Sequence, residues 1–288
     1  MKWSDRKNFF VKSHGLGNDY IVLDSLNIDF KLTFKTIKRI CDVPYGIGSD
    51  GILLKIPSET CDFGLRIFNP DGSEAEKSGN GLRIFSKYLF DYGRTEKKSF
   101  SIETAGGTVR SSVVEIRNGK AVNISVEMGK AEFEAAKIPV ALPGPEIFGY
   151  KARIDDRDFE LNCVSMGNPH CVVIRDKVLT SEVHRYGPLL ENHFYFPNRT
   201  NVQFVSIEDR DNIKVEIWER GAGYTNASGS SACAAVSVLR KLDLCNPVVT
   251  VKMPGGSLVI GVDENRQVLM TGPVQEIARG YLSEEIFL

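Results

Sequence analysis

Two short segments place a serine and a glycine at the predicted start of a helix. Residues 78–81 read S-G-N-G, and residues 228–231 read S-G-S-S. Apolar residues follow each segment at helical spacing. A helix N-terminus has unpaired N–H groups and the positive end of the helix dipole, so it attracts an anion such as a carboxylate. We call residues 78–81 and 228–231 the two serine turns.

Each serine turn has a chemical and a structural interpretation. If the two turns faced each other across a domain cleft, Ser78 and Ser228 would lie on opposite faces of one small anionic ligand. Gly79, Gly81 and Gly229 would let that ligand approach the backbone closely. Ser is also among the best N-cap residues, so either serine could simply satisfy the first turn of its helix. The turns alone leave both interpretations open.

The serine turns belong to a longer repeat. Residues 62–89 align with residues 212–239 without a gap, at an offset of 150 residues (228 − 78). Two further pairs keep this spacing to within one residue: Gly17-Asn18 with Gly167-Asn168, and Gly106-Gly107 with Gly255-Gly256. Landmarks in one order at one spacing predict a duplicated domain.

Length, charge and cysteine use exclude several classes of protein. A chain of 288 residues suits two domains, each able to bury its own core. The formal net charge of −1 gives no reason to expect nucleic acid or an anionic membrane as a partner. No signal peptide is visible, and no segment approaches the roughly eighteen apolar residues of a membrane span. The six cysteines and four histidines form no C-x-x-C pair or metal-ligand spacing, so we expect reduced thiols, no metal and a cytoplasmic protein.

The predicted elements are mostly strands. Helical spacing favours residues 32–41, the segment from Ser78 to Tyr92-Gly93, about 230–242 and, in part, 179–190. Asn118-Gly119 predicts a two-residue hairpin. The glycine-rich segment within residues 9–24 is typical of a hairpin or bulge, because no helix pattern follows it as a phosphate loop would require. Irregular residues 128–150 separate the halves. The pattern predicts an α+β fold with each sheet wrapped on its own helix.

An ordered series of motifs extends over nearly the whole chain. It comprises H-G-L-G-N-D-Y, G-I-G-S-D-G, R-I-F-N-P-D-G-S-E-A-E, G-N-G, M-G-N-P-H-C-V, N-V-Q-F, W-E-R-G-A-G and P-G-G. In these motifs the chain resembles the diaminopimelate epimerases, which are cofactor-independent amino-acid epimerases. The resemblance implies two pseudo-symmetric domains, each a strand-rich barrel around a central helix. We place the N-terminal domain at residues 1–130, with 274–288 returning to it, and the C-terminal domain at 131–273.

The resemblance also implies an activity and a set of binding residues. It implies a cytoplasmic homodimer that inverts the α-carbon of an amino acid without pyridoxal phosphate or metal. Glu219 and Arg220 would recognise the distal amino-acid end of diaminopimelate, since a planar guanidinium can hold a carboxylate bidentately. The implied substrate-binding positions are Asn18, Asn69, Asn168, Asn201, Glu219 and Arg220, with the backbone at Gly79, Asn80, Gly229 and Ser230.

The chain departs from the family pattern at the catalytic positions. Family members carry a catalytic Cys at the positions of Ser78 and Ser228, where one thiolate removes the α-proton and the opposite thiol delivers one. Lys77, Tyr224 and Ser231 are further departures, and they favour natural divergence over two engineered Cys→Ser changes. The two serines argue against ordinary two-thiol epimerisation.

A serine needs an adjacent base before it can replace a thiol. A helix N-terminus brings a Cys pKa into the working range, but an alcohol is far too weak an acid for the dipole alone to ionise. The sequence offers four candidate bases: His170, Glu219, Asp71 and Glu76. Cys233 lies five residues beyond Ser228 (233 − 228), inside the predicted helix, where a buried inert thiol is the expected outcome.

Three functional hypotheses follow. The first is an isomerase that interconverts LL- and meso-diaminopimelate or a close analogue, with Ser78 and Ser228 as the acid/base positions and His170 and Glu219 supporting them. The second is a lyase or a differently selective racemase in which one serine donates a proton and the other face is inert. The third is a catalytically impaired module that still binds an amino acid.

Overall fold

The computed structural model describes residues 3–287, and the chain divides into two compact units. Unit 1 extends to Val126 and resumes at Thr271, and unit 2 is Glu127–Met270. The strands of unit 1 are β1 (Phe9–Gly15), β2 (Asn18–Asp24), β3 (Ile52–Ile56), β4 (Phe63–Phe68), β5 (Glu74–Ala75), β6 (Ser99–Thr104), β7 (Gly107–Arg117) and most of β8 (Lys120–Lys130). Its helices are α1 (Phe34–Cys41) and α2 (Gly79–Asp91).

Unit 2 contains a similar set of elements. Its strands are β9 (Tyr150–Ile154), β10 (Arg157–Ser165), β11 (Pro169–Ile174), β12 (Asn201–Asp209), β13 (Asn212–Glu219), β14 (Gly223–Thr225), β15 (Val248–Met253), β16 (Gly256–Val262) and the first part of β17 (Gln267–Pro273). Its helices are α3 (Thr180–Glu191) and α4 (Gly229–Lys241). Strand β18 (Gln275–Tyr281) follows in unit 1, and 3₁₀ turns occupy Trp3–Asp5, Ala135–Lys137 and Glu284–Phe287.

The chain passes between the units inside two strands. The first crossing falls in β8 after Val126, and the second falls in β17 after Met270. The sequence predicts both boundaries at the far ends of these strands, because the residue pattern does not change where a strand continues from one unit into the other. β18 pairs antiparallel with β1, and Leu282 shares a hydrophobic cluster with Phe10, so the C-terminal segment belongs to unit 1.

The two units repeat one strand register. β2 runs parallel to β3 and β11 runs parallel to β12, whereas β4 and β13 each pair antiparallel with the strand before them. Three partnerships in unit 1 recur 150 residues later (202 − 52) in unit 2: Ile21↔Ile52 as Cys171↔Val202, Ile52↔Phe68 as Val202↔Trp218, and Phe68↔Glu74 as Trp218↔Tyr224. The repeat in the sequence is therefore a repeat of structure.

Each unit wraps its strands around one buried helix. α2 packs on β1, β2 and β7, and α4 packs on β10–β13, β15 and β16. A helix buried on every side must be apolar or small all round. α4 meets this requirement with an Ala-rich run that includes Ala232 and Cys233. α2 buries Leu82 and Phe85 but also Lys87, whose charge is paired with Asp91 at 2.8 Å. The predicted α+β class with a central helix in each half is confirmed.

The predicted turns are hairpins. Leu16 and Gly17 join β1 to β2 at φ 56° and 89°, and Asn118 and Gly119 join β7 to β8 at φ 50° and 73°. Left-handed φ values at both central residues are the signature of a tight hairpin turn whose twist matches the strands. The hairpin interpretation of the first segment is confirmed, and no helix follows it as a phosphate loop would require.

Helix α3 is more regular than its sequence indicates. The partly helical segment forms one continuous helix despite Gly187 and Pro188 in its last turns. Gly187 has a packing reason, because a Cβ there would lie 2.6 Å from Trp218 Cγ. α3 can therefore lie directly against the indole of Trp218 on β13. Among residues 3–287, no helix is long and apolar enough to cross a membrane.

We expect Gly187→Ala to lower the free energy of unfolding by a net of about 1–2 kcal/mol, because displacing the Trp218 ring for the new methyl group costs up to about 3 kcal/mol. This cost outweighs the helix-propensity gain of about 1 kcal/mol. Denaturant unfolding measures the change. Leu189→Ala in the same helix is the control, since Leu189 is exposed and its truncation should change stability by under about 0.5 kcal/mol. A Gly187→Ala protein as stable as the parent would contradict the close packing.

Candidate functional site

Ser78 caps helix α2 in unit 1. Its Oγ accepts a hydrogen bond from the Gly81 N–H at 3.0 Å, and its backbone is extended at φ −140°, ψ 118°. The Tyr20 hydroxyl lies 3.3 Å from the same Oγ, and either oxygen can donate. Ser78 therefore satisfies the first turn of α2, and its hydroxyl also forms a hydrogen bond with a phenol. Sequence reasoning did not identify Tyr20, although it closes the H-G-L-G-N-D-Y motif.

Two of the predicted binding amides in unit 1 lie side by side. Asn80 Nδ2 donates to Asn18 Oδ1 at 3.0 Å, and Asn18 Nδ2 donates to Asp50 Oδ2 at 2.8 Å. The buried Arg83 donates from Nη2 to Asn80 Oδ1 at 2.8 Å. This chain of hydrogen bonds fixes which way each amide points. Asp50 was missed as a site residue, although it lies in the G-I-G-S-D-G motif.

The other polar residues of unit 1 pair within their own turn. Asn69 Nδ2 donates to Ser73 Oγ at 2.9 Å, and Ser73 donates from its N–H and hydroxyl to Asp71 Oδ1. These hydrogen bonds from Ser73 lower the pKa of Asp71, which makes it a weaker base. Glu76 is exposed, and its carbonyl accepts the Gly106 N–H at 3.0 Å. Ser78 takes neither carboxylate as a hydrogen-bond partner, since its bonds go to Gly81 and Tyr20.

Ser228 in unit 2 has a different partner from Ser78. It lies at the start of α4 with nearly the same backbone, φ −144° and ψ 127°, but its side chain makes no cap hydrogen bond. Its hydroxyl donates to Glu219 Oε1 at 3.3 Å, and the serine is buried. The two serine turns therefore share a backbone and differ in chemistry. Of the four candidate bases, Glu219 is the one that the structure places on a serine.

The pKa of the Glu219 carboxyl is raised toward the working range of a general base. Burial raises its pKa from the ordinary 4.5, and the nearby hydroxyls of Ser228 and Thr225 offset part of that rise. A base acts best when its pKa lies near the operating pH, so a raised carboxyl pKa favours proton transfer. A hydroxyl hydrogen-bonded to such a carboxylate is the arrangement that activates serine.

His170 is buried and neutral. Burial, with a smaller effect from the charge of Arg220, lowers its pKa from 6.5 to about 3 against the opposing hydrogen bond with Gln203. Its Nε2 lies 2.8 Å from Asn168 Oδ1, and its Nδ1 lies 3.0 Å from Gln203 Nε2. These partners assign the proton to Nε2, which donates to Asn168. His170 thus orients a predicted substrate amide. Gln203, from the N-V-Q-F motif, is a supporting residue that sequence reasoning missed.

Asn201 and Arg220 are held together beside this histidine. Asn201 Nδ2 donates to the Pro169 carbonyl at 2.9 Å, and its Oδ1 accepts the Arg220 N–H at 3.0 Å. The Arg220 guanidinium donates from Nη1 to the Asn198 carbonyl at 3.2 Å. A guanidinium has five N–H groups, so donors remain for a carboxylate.

The remaining predictions concern thiols and metals. Cys233 is fully buried inside α4, as expected for an inert thiol. Within the described part of the chain, no three His, Cys, Asp or Glu side chains cluster closely enough to hold a metal ion.

The backbone at Gly79-Asn80 and at Gly229-Ser230 forms the first turn of α2 and of α4, where unpaired N–H groups occur.

The neutral His170 has a consequence for stability at low pH. The unfolded state gains a proton as pH falls through 6.5, whereas the folded state does so only near 3. The contribution of the neutral His170 to the free energy of unfolding is therefore fully present above the unfolded-state pKa of 6.5 and is lost as the pH falls. Between pH 7 and 5 the free energy of unfolding should drop by about 2 kcal/mol from this group alone. Denaturant unfolding at both pH values should show a smaller drop for His170→Gln. Equal drops would mean that His170 is not buried neutral.

Comparison with known proteins places the chain among close relatives. The family model described as diaminopimelate epimerase matches residues 10–134 and 162–277. The chain is 50% identical over 279 residues to a protein named diaminopimelate epimerase 2 from Nostoc sp., covering 96% of each. It is 41% identical to a diaminopimelate epimerase from Acetivibrio thermocellus, covering 94% of this chain and 97% of that one.

Solved structures show the same fold at low identity. A hydroxyproline epimerase from Agrobacterium vitis, solved with bound trans-4-hydroxy-L-proline, superposes with a TM-score of 0.70. The match covers 99% of this chain and 94% of that chain at 12% sequence identity. At this identity the likeness establishes the two-domain epimerase fold and no more.

Proposed function

Because the chain belongs to the diaminopimelate epimerase family, we propose that it inverts the α-carbon of LL-diaminopimelate to give the meso form. The observation that carries this proposal is the hydrogen bond from Ser228 to the partly buried Glu219 carboxyl. That bond supplies the base that a serine needs in place of a thiol. The enzyme would thereby provide meso-diaminopimelate for lysine and peptidoglycan precursors, as family membership implies.

On one face of the substrate, we assign proton transfer to Ser228 and Glu219. The Cα–H bond breaks, and its proton moves to Ser228 Oγ while the hydroxyl proton of Ser228 moves to the Glu219 carboxylate. The electron pair stays on the α-carbon and spreads into the substrate carboxylate. No free alkoxide forms, because the two transfers are coupled. The reverse sequence returns the proton from Glu219 through Ser228.

On the other face, we assign proton delivery to Ser78. Its hydroxyl proton moves to the α-carbon, and the adjacent Tyr20 hydroxyl supplies a replacement proton to Ser78 Oγ. Inversion requires the two serines to act on opposite faces. After one turnover, exchange with water restores the starting protonation of Glu219 and Tyr20.

Substrate recognition uses the amides and the helix starts. The N–H groups at Gly79-Asn80 and Gly229-Ser230 would bind the α-carboxylate, whose negative charge grows as the α-proton leaves. Arg220 would bind the distal carboxylate in a bidentate manner. The side chains of Asn18, Asn69, Asn168 and Asn201 would complete recognition of a small amino acid.

The contrast between the serines supports a second candidate. Only Ser228 has a carboxylate partner, whereas Ser78 caps a helix. A one-faced enzyme, such as a lyase acting on another amino acid, would use Ser228 and Glu219 alone. Loss of water from a β-hydroxy amino acid would distinguish it from an epimerase. A homodimeric state and a cytoplasmic location are further proposals that follow from the family resemblance.

The first test is proton NMR of LL-diaminopimelate with the purified protein in heavy water. We expect the α-proton to wash out and the meso form to appear. Glu219→Gln should slow exchange by about 10²–10⁴-fold, the usual contribution of a general base. Exchange should fall as pH decreases through the Glu219 pKa, which burial raises above 4.5, because protonation removes the base. This acidic limb should be absent from Glu219→Gln.

Cysteine variants provide the matched control. Ser78→Cys with Ser228→Cys restores the thiols of the family at an unchanged backbone, so it tests whether the substrate fits. Exchange by this double variant but not by the parent would refute serine-based chemistry and leave an impaired binding module. Exchange by neither protein would refute diaminopimelate as the substrate. Exchange by the parent without inversion would favour the one-faced candidate.

A further inference from the structure

A buried carboxylate at the end of α3 binds three donors. Glu191 Oε2 accepts the Trp218 Nε1–H at 2.7 Å, and its Oε1 accepts the Gly221 N–H at 2.9 Å. Arg199 Nη1 lies 3.3 Å from Oε1, and the Glu191 side chain is only 7% exposed. Charge-assisted hydrogen bonds of this length are among the strong ones in proteins.

These contacts enclose the turn that carries Glu219 and Arg220. Trp218 precedes the pair and Gly221 follows it, so one carboxylate holds both sides. The turn closes through the Ala222 N–H, which donates to the Glu219 carbonyl at 3.0 Å. Gly221 adopts φ 80°, a left-handed conformation that favours glycine. Glu191 therefore restrains the two residues with the most demanding roles in the proposed reaction.

Unit 1 builds the same turn without this carboxylate. Its backbone bond is repeated, since the Gly72 N–H donates to the Asn69 carbonyl at 2.9 Å. The position matching Glu191 is Cys41 (191 − 150), the last residue of α1, as Glu191 is the last of α3. The position matching Trp218 is Phe68, which has no N–H to donate. The backbone turn therefore forms in unit 1 without a carboxylate, so Glu191 is not required to build it.

We propose that Glu191 is a positioning residue for the reaction, which holds Glu219 against Ser228 and Arg220 ready for the distal carboxylate. The inference rests on the proposed function, because those two roles come from it. Glu191 itself does not touch the reacting atoms. It acts through Trp218 and Gly221, as a supporting hydrogen bond orients a functional residue in other sites.

Glu182 provides a matched control in the same helix. Its carboxylate is equally buried, with Oε1 2.8 Å from Arg175 Nε and 3.2 Å from Arg157 Nη1. Removing its charge leaves Arg175, only 17% exposed, without its partner. Removing the charge of Glu191 affects Arg199, whose side chain is 54% exposed and remains solvated. Glu182→Gln should therefore cost more stability than Glu191→Gln.

The test compares Glu191→Gln with Glu182→Gln in the full-length protein. An amide keeps the shape but offers one acceptor oxygen, so Glu191→Gln loses one of its two restraints on the turn. We expect its kcat/KM for LL-diaminopimelate to fall by roughly 10–100-fold, with kcat lowered because Glu219 is less well held against Ser228 and KM raised because Arg220 loses its position. The indole N–H resonance of Trp218 and the amide of Gly221 should shift in the NMR spectrum. Glu182→Gln should lose more stability and keep kcat/KM within about threefold.

The possible outcomes distinguish a failure of the inference about Glu191 from a failure of the proposed function. If the parent exchanges the α-proton and the two variants lose activity only in proportion to stability, Glu191 is structural and the inference is wrong. Equal activity of Glu191→Gln and the parent has the same meaning. If the parent neither binds nor exchanges diaminopimelate, the proposed function fails and the inference falls with it. Loss of activity in Glu191→Gln at retained stability, with shifted Trp218 and Gly221 signals, supports it.

Discussion

The chemistry assigned to this protein depends on one partly buried hydrogen bond, from the Ser228 hydroxyl to the Glu219 carboxyl. Burial disfavours the charged form of a carboxylate and raises its pKa, so the same environment that isolates Glu219 also makes it a stronger base. Moving the carboxyl into water would return its pKa toward 4.5 and weaken its attraction for the hydroxyl proton. The strands and helix around Glu219 are therefore part of the proposed catalytic arrangement.

The two units show how one fold can hold two different sites. Their registers coincide at a fixed offset, and their serines share nearly the same backbone angles. The side chains around those serines do not coincide, since Ser78 meets Gly81 and Tyr20 whereas Ser228 meets Glu219. A repeated backbone constrains where a residue lies but leaves its partner free to change.

Sequence reasoning recovered the fold well because it depends on patterns that are local and repeated. The helix after each serine, the hairpin at Asn118-Gly119 and the α+β class all follow from spacing and turn chemistry. The regularity of α3 was missed because Gly187 and Pro188 suggest a break, and only the packed indole of Trp218 explains the glycine. The unit boundaries fall inside continuous strands, where the local pattern does not change.

The sequence predicts which positions form the site, whereas the hydrogen-bond partners within it are set by the folded structure. Four bases were open to Ser228 on sequence grounds, and only folding brings Glu219 to it across the strand–turn–helix segment. His170 was a candidate base, yet its burial among Asn168 and Gln203 makes it neutral and leaves it an orienting role. Burial and pairing are non-local quantities, so a single sequence does not contain them in readable form.

A serine–carboxylate pair can replace a thiol only if the serine never carries a full charge. Each unit by which the pKa of the serine hydroxyl exceeds the working pH adds about 1.36 kcal/mol to the cost of forming its alkoxide. That pKa lies many units above the working pH. A coupled transfer avoids that cost, because the proton leaving Ser228 arrives on Glu219 as the α-proton arrives on Ser228. The coupling requires that the 3.3 Å separation between the Ser228 hydroxyl and the Glu219 carboxyl shorten during the transfer and that the two groups stay aligned. The two acceptor oxygens of Glu191, which hold the turn on both sides of Glu219, are well suited to keep it.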